Sequence, residues 1–188
     1  MIDGSRLDLK TNISATAEIA DMAHSAGLAC EDELGTVMGH ESGPILPYEE
    51  IFRSRVGFTD LEEAKRFAAE SRCDWLSVAV GNIHGAVAEA TRNQKKPAAR
   101  LEVDHITKLY QITGLPLVLH GGSGIQIEYI RRGITAGIAK INVGTKIRQA
   151  YERGLEEKGG GVAVAQEWVY LRTREIITDM LGTPESRS

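Results

Sequence analysis

Leu117-Val118-Leu119-His120-Gly121-Gly122-Ser123-Gly124 is the stretch on which the fold turns. A short apolar run delivers a histidine into a glycine-rich turn, and residues 126–136 follow with helical spacing. Glycines at such a turn let backbone N–H groups converge on a phosphate or other anion, and the next helix adds its positive N-terminus. The Ser123 hydroxyl supplies one more donor. Three more runs read the same way: 28–30 leading into Glu31–Glu33, 75–80, and 137–143. All are near-continuously apolar rather than alternating, as strands buried on both faces of a parallel sheet are. Helical spacing occupies 12–25, 60–70, 101–113, 145–155 and 164–181. Thr59 with Glu62 three residues on has the pattern of a capping box for the second of these. Strand–helix alternation at this rhythm means βα units on a parallel sheet. In a βα barrel the loops after the strands build the active site.

Composition narrows the class. The 188 residues suit one domain, expected over 1–188 with a C-terminal helix in 162–188. Gly159–Gly161 reads as a loop within it. Hydrophobic residues at 42% exclude a disordered chain. Lys+Arg 22 against Asp+Glu 26, net charge -4, gives no basic footprint for nucleic acid and no polybasic membrane anchor. No apolar run reaches the ~18–20 residues of a membrane span. The opening MIDGSRLDLK is no secretory signal, so a cytoplasmic protein is expected. Cys30 and Cys73 form no disulfide framework and are expected buried and reduced. Residues 92–100 read as a basic surface loop.

Three further motifs follow strand ends. Glu31 and Glu33 share one face of their strand, and His40 and Glu41 come shortly after. Acids inside a barrel require a metal, a cation or a catalytic task; at a solvated strand end they require none, and the residues alone leave both open. Gly81-Asn82-Ile83-His84-Gly85 places a second histidine at a strand end, where a structural role is the competing reading. Lys140-Ile141-Asn142-Val143-Gly144-Thr145 ends a strand and opens a helix, fitting the phosphate site that barrels build from their last two strands. Two strand-end histidines favour a metal over acid–base work, and catalytic zinc keeps three protein ligands plus an open position. His24 and His105 fall inside helices and read as surface or packing residues.

Together these motifs resemble the class II, zinc-dependent fructose-bisphosphate and tagatose-bisphosphate aldolases. The resemblance runs in order through Met1-Ile2-Asp3-Gly4-Ser5, Glu33-Leu34-Gly35, Gly57-Phe58-Thr59-Asp60, the His84 motif, the His120 motif and Asn142-Val143-Gly144-Thr145. It implies a TIM (β/α)8 barrel, here incomplete and comprising about the last five βα units. It implies reversible aldol cleavage of a ketose 1,6-bisphosphate to dihydroxyacetone phosphate and an aldehyde phosphate. His84 and His120 match two of the family's three Zn2+ ligands, and Glu33 matches a glutamate of an alternative zinc position. Glu41 matches an acid implicated in proton transfer, and Asp3 an acid at a strand end. Asn142, Gly121, Gly122, Ser123, Gly144 and Thr145 match the stretches that hold the phosphate end or the enediolate. Gly85 is grouped with them, and Gly85 and Gly121 also lie near a monovalent cation, Na+ or K+. A homo-oligomer is implied.

The resemblance has gaps. The family's acid/base aspartate and third zinc histidine sit in βα units before those matched here, and this chain has neither. Gly144 replaces an aspartate common after Asn142. Ala86 replaces the lysine that often follows the His84 motif. The expectations are therefore two: an aldolase by family, with low activity in this chain alone, or a truncated, non-catalytic relative or subunit that binds phosphate or a partner chain.

Overall fold

The computed structural model describes residues 1–38, 47–83 and 98–182. Two compact units divide the chain, Met1–Asn142 and Val143–Ser188.

The first unit runs α1 (Leu9–Ser25), β1 (Glu31–Leu34), α2 (Tyr48–Ser54), α3 (Leu61–Glu70), β2 (Trp75–Val78), α4 (Val103–Thr113), β3 (Leu117–Leu119), a single 3₁₀ turn at Gly122–Gly124, α5 (Ile127–Ala136) and β4 (Ile138–Ile141). All pairings are parallel, in the order β1-β2-β3-β4. The Ile2 backbone amide donates a hydrogen bond to the Glu31 carbonyl at 2.9 Å, as a neighbouring strand would. Strand alternation sorts the residues by face. Asp32, Leu76, Leu117 and Ile138 stand in register on one side, and Asp32 meets Thr16 of α1, so this side faces the helices. Leu76, Leu117, Leu119, Phe67, Ile106, Leu109 and Ile130 are buried in this layer, each worth about 1.5–3 kcal/mol on removal from water. The other face carries Glu31, Glu33, Trp75, Ser77, Val118 and Lys140. That polar face is the barrel-lining side of the expected partial barrel.

The second unit is a helix pair, α6 (Thr145–Glu156) and α7 (Val162–Leu181), closely packed where Gly154 lets the Ala165 backbone approach. Gly159–Gly161 lies in their connection, as expected.

Several local expectations need correction. The first strand covers Glu31–Leu34, so it begins after the apolar run 28–30 that leads into it, where the Cys30 amide donates to the Asp74 carboxylate. Helix α1 starts earlier, at Leu9, where Asp8 accepts from the Thr11 amide. The cap of α3 is Asp60, which accepts from the Glu62 and Glu63 amides. Thr59 instead donates its hydroxyl to the Leu34 carbonyl at 2.6 Å and accepts from the Ala79 amide at 2.9 Å, clamping the ends of β1 and β2. Helix α2 was not anticipated; its seven residues are too few to show a helical period. Cys30 and Cys73 are buried and free, and burial pushes the Cys73 thiol up to about 11.

Candidate active site

The site forms where β1 and β3 present residues on the lining face. Strand β1 sends Glu31 and Glu33 to that side, with Asp32 between them turned to α1. Asp32 accepts from the Gly4 amide at 3.1 Å and from Thr16, which fixes the strand's facing. After Leu34, Gly35 takes φ +85°, and a Cβ there would lie 2.7 Å from the Thr59 hydroxyl, so only glycine fits this exit.

His120 follows β3 and is buried between the two glutamates. Its Nε2 lies 3.2 Å from Glu31 Oε1, and its Nδ1 lies 3.0 Å from Glu33 Oε2. The contact with Glu33, and then that with Glu31, pushes the His120 pKa upward against the opposing effect of burial. Lys140 of β4 pairs with the other oxygen of Glu31 and sits 5.5 Å above the Trp75 ring. Asn82 is also buried. Its amide donates to the His120 carbonyl at 3.0 Å, and its oxygen accepts from the Val80 amide at 2.8 Å. It thereby ties the end of β2 to the backbone that carries the histidine. Asp3 holds Ser5 through its hydroxyl at 2.6 Å, which keeps the Asp3 carboxyl below its usual range.

The glycine turn follows β3, as the sequence suggests. Gly121 takes φ +72°, and Gly122 and Ser123 are buried. The Gly122 amide donates to the Asn142 carbonyl at 3.0 Å, and the Asn142 amide to the Leu119 carbonyl at 2.9 Å. Gly122 and Asn142 therefore meet through the backbone, and that Gly122 amide is committed to joining the two turns. Gly144 and Thr145 open α6 in the second unit. His84, Gly85 and Glu41, like His40, lie outside the described residues. His105 is buried, with Nε2 2.8 Å from the Thr59 carbonyl, and His24 contacts Asp74 at 2.9 Å near the surface; both have the packing or surface roles expected of them.

Chemically, the pair His120 Nδ1 and Glu33 Oε2 is one imidazole nitrogen beside one carboxylate oxygen. Two donors on a tetrahedral Zn2+ lie ~3.3 Å apart when each is ~2.0–2.1 Å from the ion, so this pair suits two corners of such a site. Ser77, in register with Glu33, leaves its hydroxyl buried without a hydrogen-bond partner among the described residues, so the lining face has unmet polar capacity. Among the described residues, no group of three or more His, Cys, Asp or Glu is arranged to hold a metal.

Comparison with known proteins identifies the family and the fold. The sequence matches the family described as fructose-bisphosphate aldolase class-II over residues 1–181. The chain belongs to the class II fructose-bisphosphate aldolase family. Fructose-bisphosphate aldolase of Streptococcus pyogenes is 37% identical over 158 residues, 84% of this chain and 48% of that protein. The 6-phospho-5-dehydro-2-deoxy-D-gluconate aldolase of Bacillus velezensis is 34% identical, over 93% of this chain and 60% of its own length. The crystal structure of the YdjI aldolase from Escherichia coli K12 superposes with a TM-score of 0.71 at 28% identity, over 96% of this chain and 58% of that one. The chain thus spans about half to three-fifths of these relatives, and its four parallel strands with their helices are an incomplete TIM barrel.

Sequence reasoning named His120, Glu33 and Asn142 but gave no role to Lys140 or Asn82, and noted Glu31 only as sharing a face with Glu33. A lone lysine inside an apolar strand was the available signal for Lys140. Nothing in the sequence paired it with Glu31, 109 positions away.

Proposed function

We propose that the protein is a metal-dependent class II aldolase acting on a phosphorylated ketose, and that this chain supplies its metal-binding and phosphate-binding parts. The reaction is reversible cleavage of a ketose 1,6-bisphosphate to dihydroxyacetone phosphate and an aldehyde phosphate. The observation that carries the reading is His120, buried at a strand end with a carboxylate on each ring nitrogen. His84 and His120, with Glu33, hold Zn2+ in this reading. When bound, Zn2+ polarises the substrate carbonyl and stabilises charge that develops there. Asn142 holds the reacting end of the triose phosphate, and Glu41 moves the proton. Gly121 and Ser123 receive the phosphate, as do Gly144 and Thr145 by sequence match alone; the Gly122 amide, given to the Asn142 carbonyl, shapes the turn and is no donor to it, contrary to expectation. Gly85 and Gly121 border a monovalent cation.

The same reading takes residues 1–188 as one partial barrel domain, with 162–188 as its C-terminal helix, in a cytoplasmic homo-oligomer. Among the described residues, no helix is long and apolar enough to cross a membrane.

A second reading is a non-catalytic relative or subunit that binds phosphate or a partner chain. It is favoured by two departures from the family resemblance within the matched stretch: Ala86 stands in place of the lysine that often follows the His84 motif, and Gly144 in place of an aspartate common after Asn142. A coupled assay for dihydroxyacetone phosphate, run on zinc-loaded protein with fructose and tagatose bisphosphates, separates the two. Turnover abolished by chelation and by His120→Ala supports the aldolase. Binding of zinc and phosphate without turnover supports the second reading, and binding of neither overturns both.

A further inference from the structure

The two glutamates of β1 are not equivalent, although they share a face and both touch His120. Glu31 is anchored from two sides: one carboxylate oxygen faces His120 Nε2, and the other pairs with Lys140. Lys140 reaches it from β4, across β2 and β3, with its ammonium beside the Trp75 ring. Glu33 has only His120 as the partner of its carboxylate among the described residues. Both carboxylates are buried, with side chains 7% and 5% exposed. A buried carboxylate without a cation is costly, and Lys140 meets that need for Glu31 whatever His120 is doing.

We propose that Glu31, clamped by Lys140, is a positioning residue that holds the His120 ring through its Nε2–H and so presents Nδ1 as the metal-binding nitrogen. This rests on the aldolase reading above and assigns different tasks to the two glutamates. Glu33, held only by the histidine, is the carboxylate able to turn to a metal. Glu31 is held away from it by the lysine. The hydrogen bond from Nε2–H to a carboxylate fixes both tautomer and ring angle, and such outer partners typically change metal affinity 10–100-fold. Lys140 acts only through Glu31 and touches neither the histidine nor the donor pair.

The test is competition of the full 188-residue chain with a chromophoric chelator for Zn2+, comparing wild type with His120→Ala, Glu31→Gln, Lys140→Met, Lys140→Arg and the Glu31→Gln/Lys140→Met double variant. His120→Ala is expected to abolish binding. Glu31→Gln is expected to weaken it about 10–100-fold at unchanged stoichiometry and helical content. Lys140→Met should weaken it in the same direction, and Lys140→Arg should restore it. The double variant should be no weaker than Glu31→Gln alone, because the lysine works through the glutamate. Zinc binding that needs His120 but is within threefold of wild type in Glu31→Gln overturns the positioning role and leaves the aldolase reading standing. Zinc binding absent from wild type, or indifferent to His120→Ala, overturns both. If Glu31→Gln does not fold, Lys140→Met decides, and unchanged affinity there overturns the proposal.

Discussion

Replacing Thr59 by Val should destabilise the first unit more than any simple loss of contact area. The side chain is 1% exposed, and its hydroxyl serves two strands at once. It donates to the Leu34 carbonyl at 2.6 Å and accepts from the Ala79 amide at 2.9 Å. Valine keeps the shape and removes both bonds, leaving one carbonyl and one amide buried. Each unsatisfied group costs about 1–3 kcal/mol, so the substitution should cost about 2–6 kcal/mol. Thr59→Ser keeps the hydroxyl and loses one methyl, about 1 kcal/mol. The assay is urea unfolding followed by Trp75 fluorescence in a Trp168→Phe background, which reports the first unit alone. A Thr59→Val loss below 1 kcal/mol, or a Thr59→Ser loss as large as that of valine, would refute the clamp.

Three further outcomes follow from the same structure. Both cysteines should resist a thiol reagent at pH 8 in the folded protein and react fully in urea, because both are buried and the Cys73 thiol is pushed up to about 11; rapid labelling of native protein would contradict this. Gly35→Ala should lose about 1–3 kcal/mol of stability in urea titration, since it combines φ +85° with a Cβ 2.7 Å from the Thr59 hydroxyl; a neutral effect would show that the β1 exit relaxes freely. Burial lowers the His105 pKa below its ordinary 6.5, so the folded state prefers the neutral ring, and the stability this gives is lost as pH falls through 6.5. The stability gap between wild type and His105→Gln should therefore narrow from pH 7.5 to pH 5.5, and a gap that widens reverses the sign.

The parallel βα pattern was legible because buried strands are written as short continuous apolar runs. Leu117–Leu119 and Ile138–Ile141 are strands where the sequence placed them. The first strand was harder to read, because its residues are Glu31-Asp32-Glu33-Leu34 and only the last of them is apolar. Their burial depends on partners far along the chain: Thr16 and Gly4 for Asp32, His120 for Glu33, Lys140 for Glu31. The capping expectation at Thr59 went astray for a similar reason. Local pattern suits that residue to a helix cap, but two strand ends claim its hydroxyl and Asp60 takes the cap. In the site, residue types and order pointed to His120, Glu33 and Asn142. The clamp of Lys140 on Glu31 and the tie from Asn82 to the His120 carbonyl are products of the sheet register, which no single segment encodes.

In the proposed reading His120 and Glu33 are metal donors at the barrel-lining face. Anomalous diffraction at the zinc edge, from crystals of zinc-loaded protein, tests it most directly. One peak is expected ~2.0–2.2 Å from His120 Nδ1 and a Glu33 oxygen, with Nε2 still on Glu31. A peak on Nε2, or zinc bound away from both residues, would contradict it.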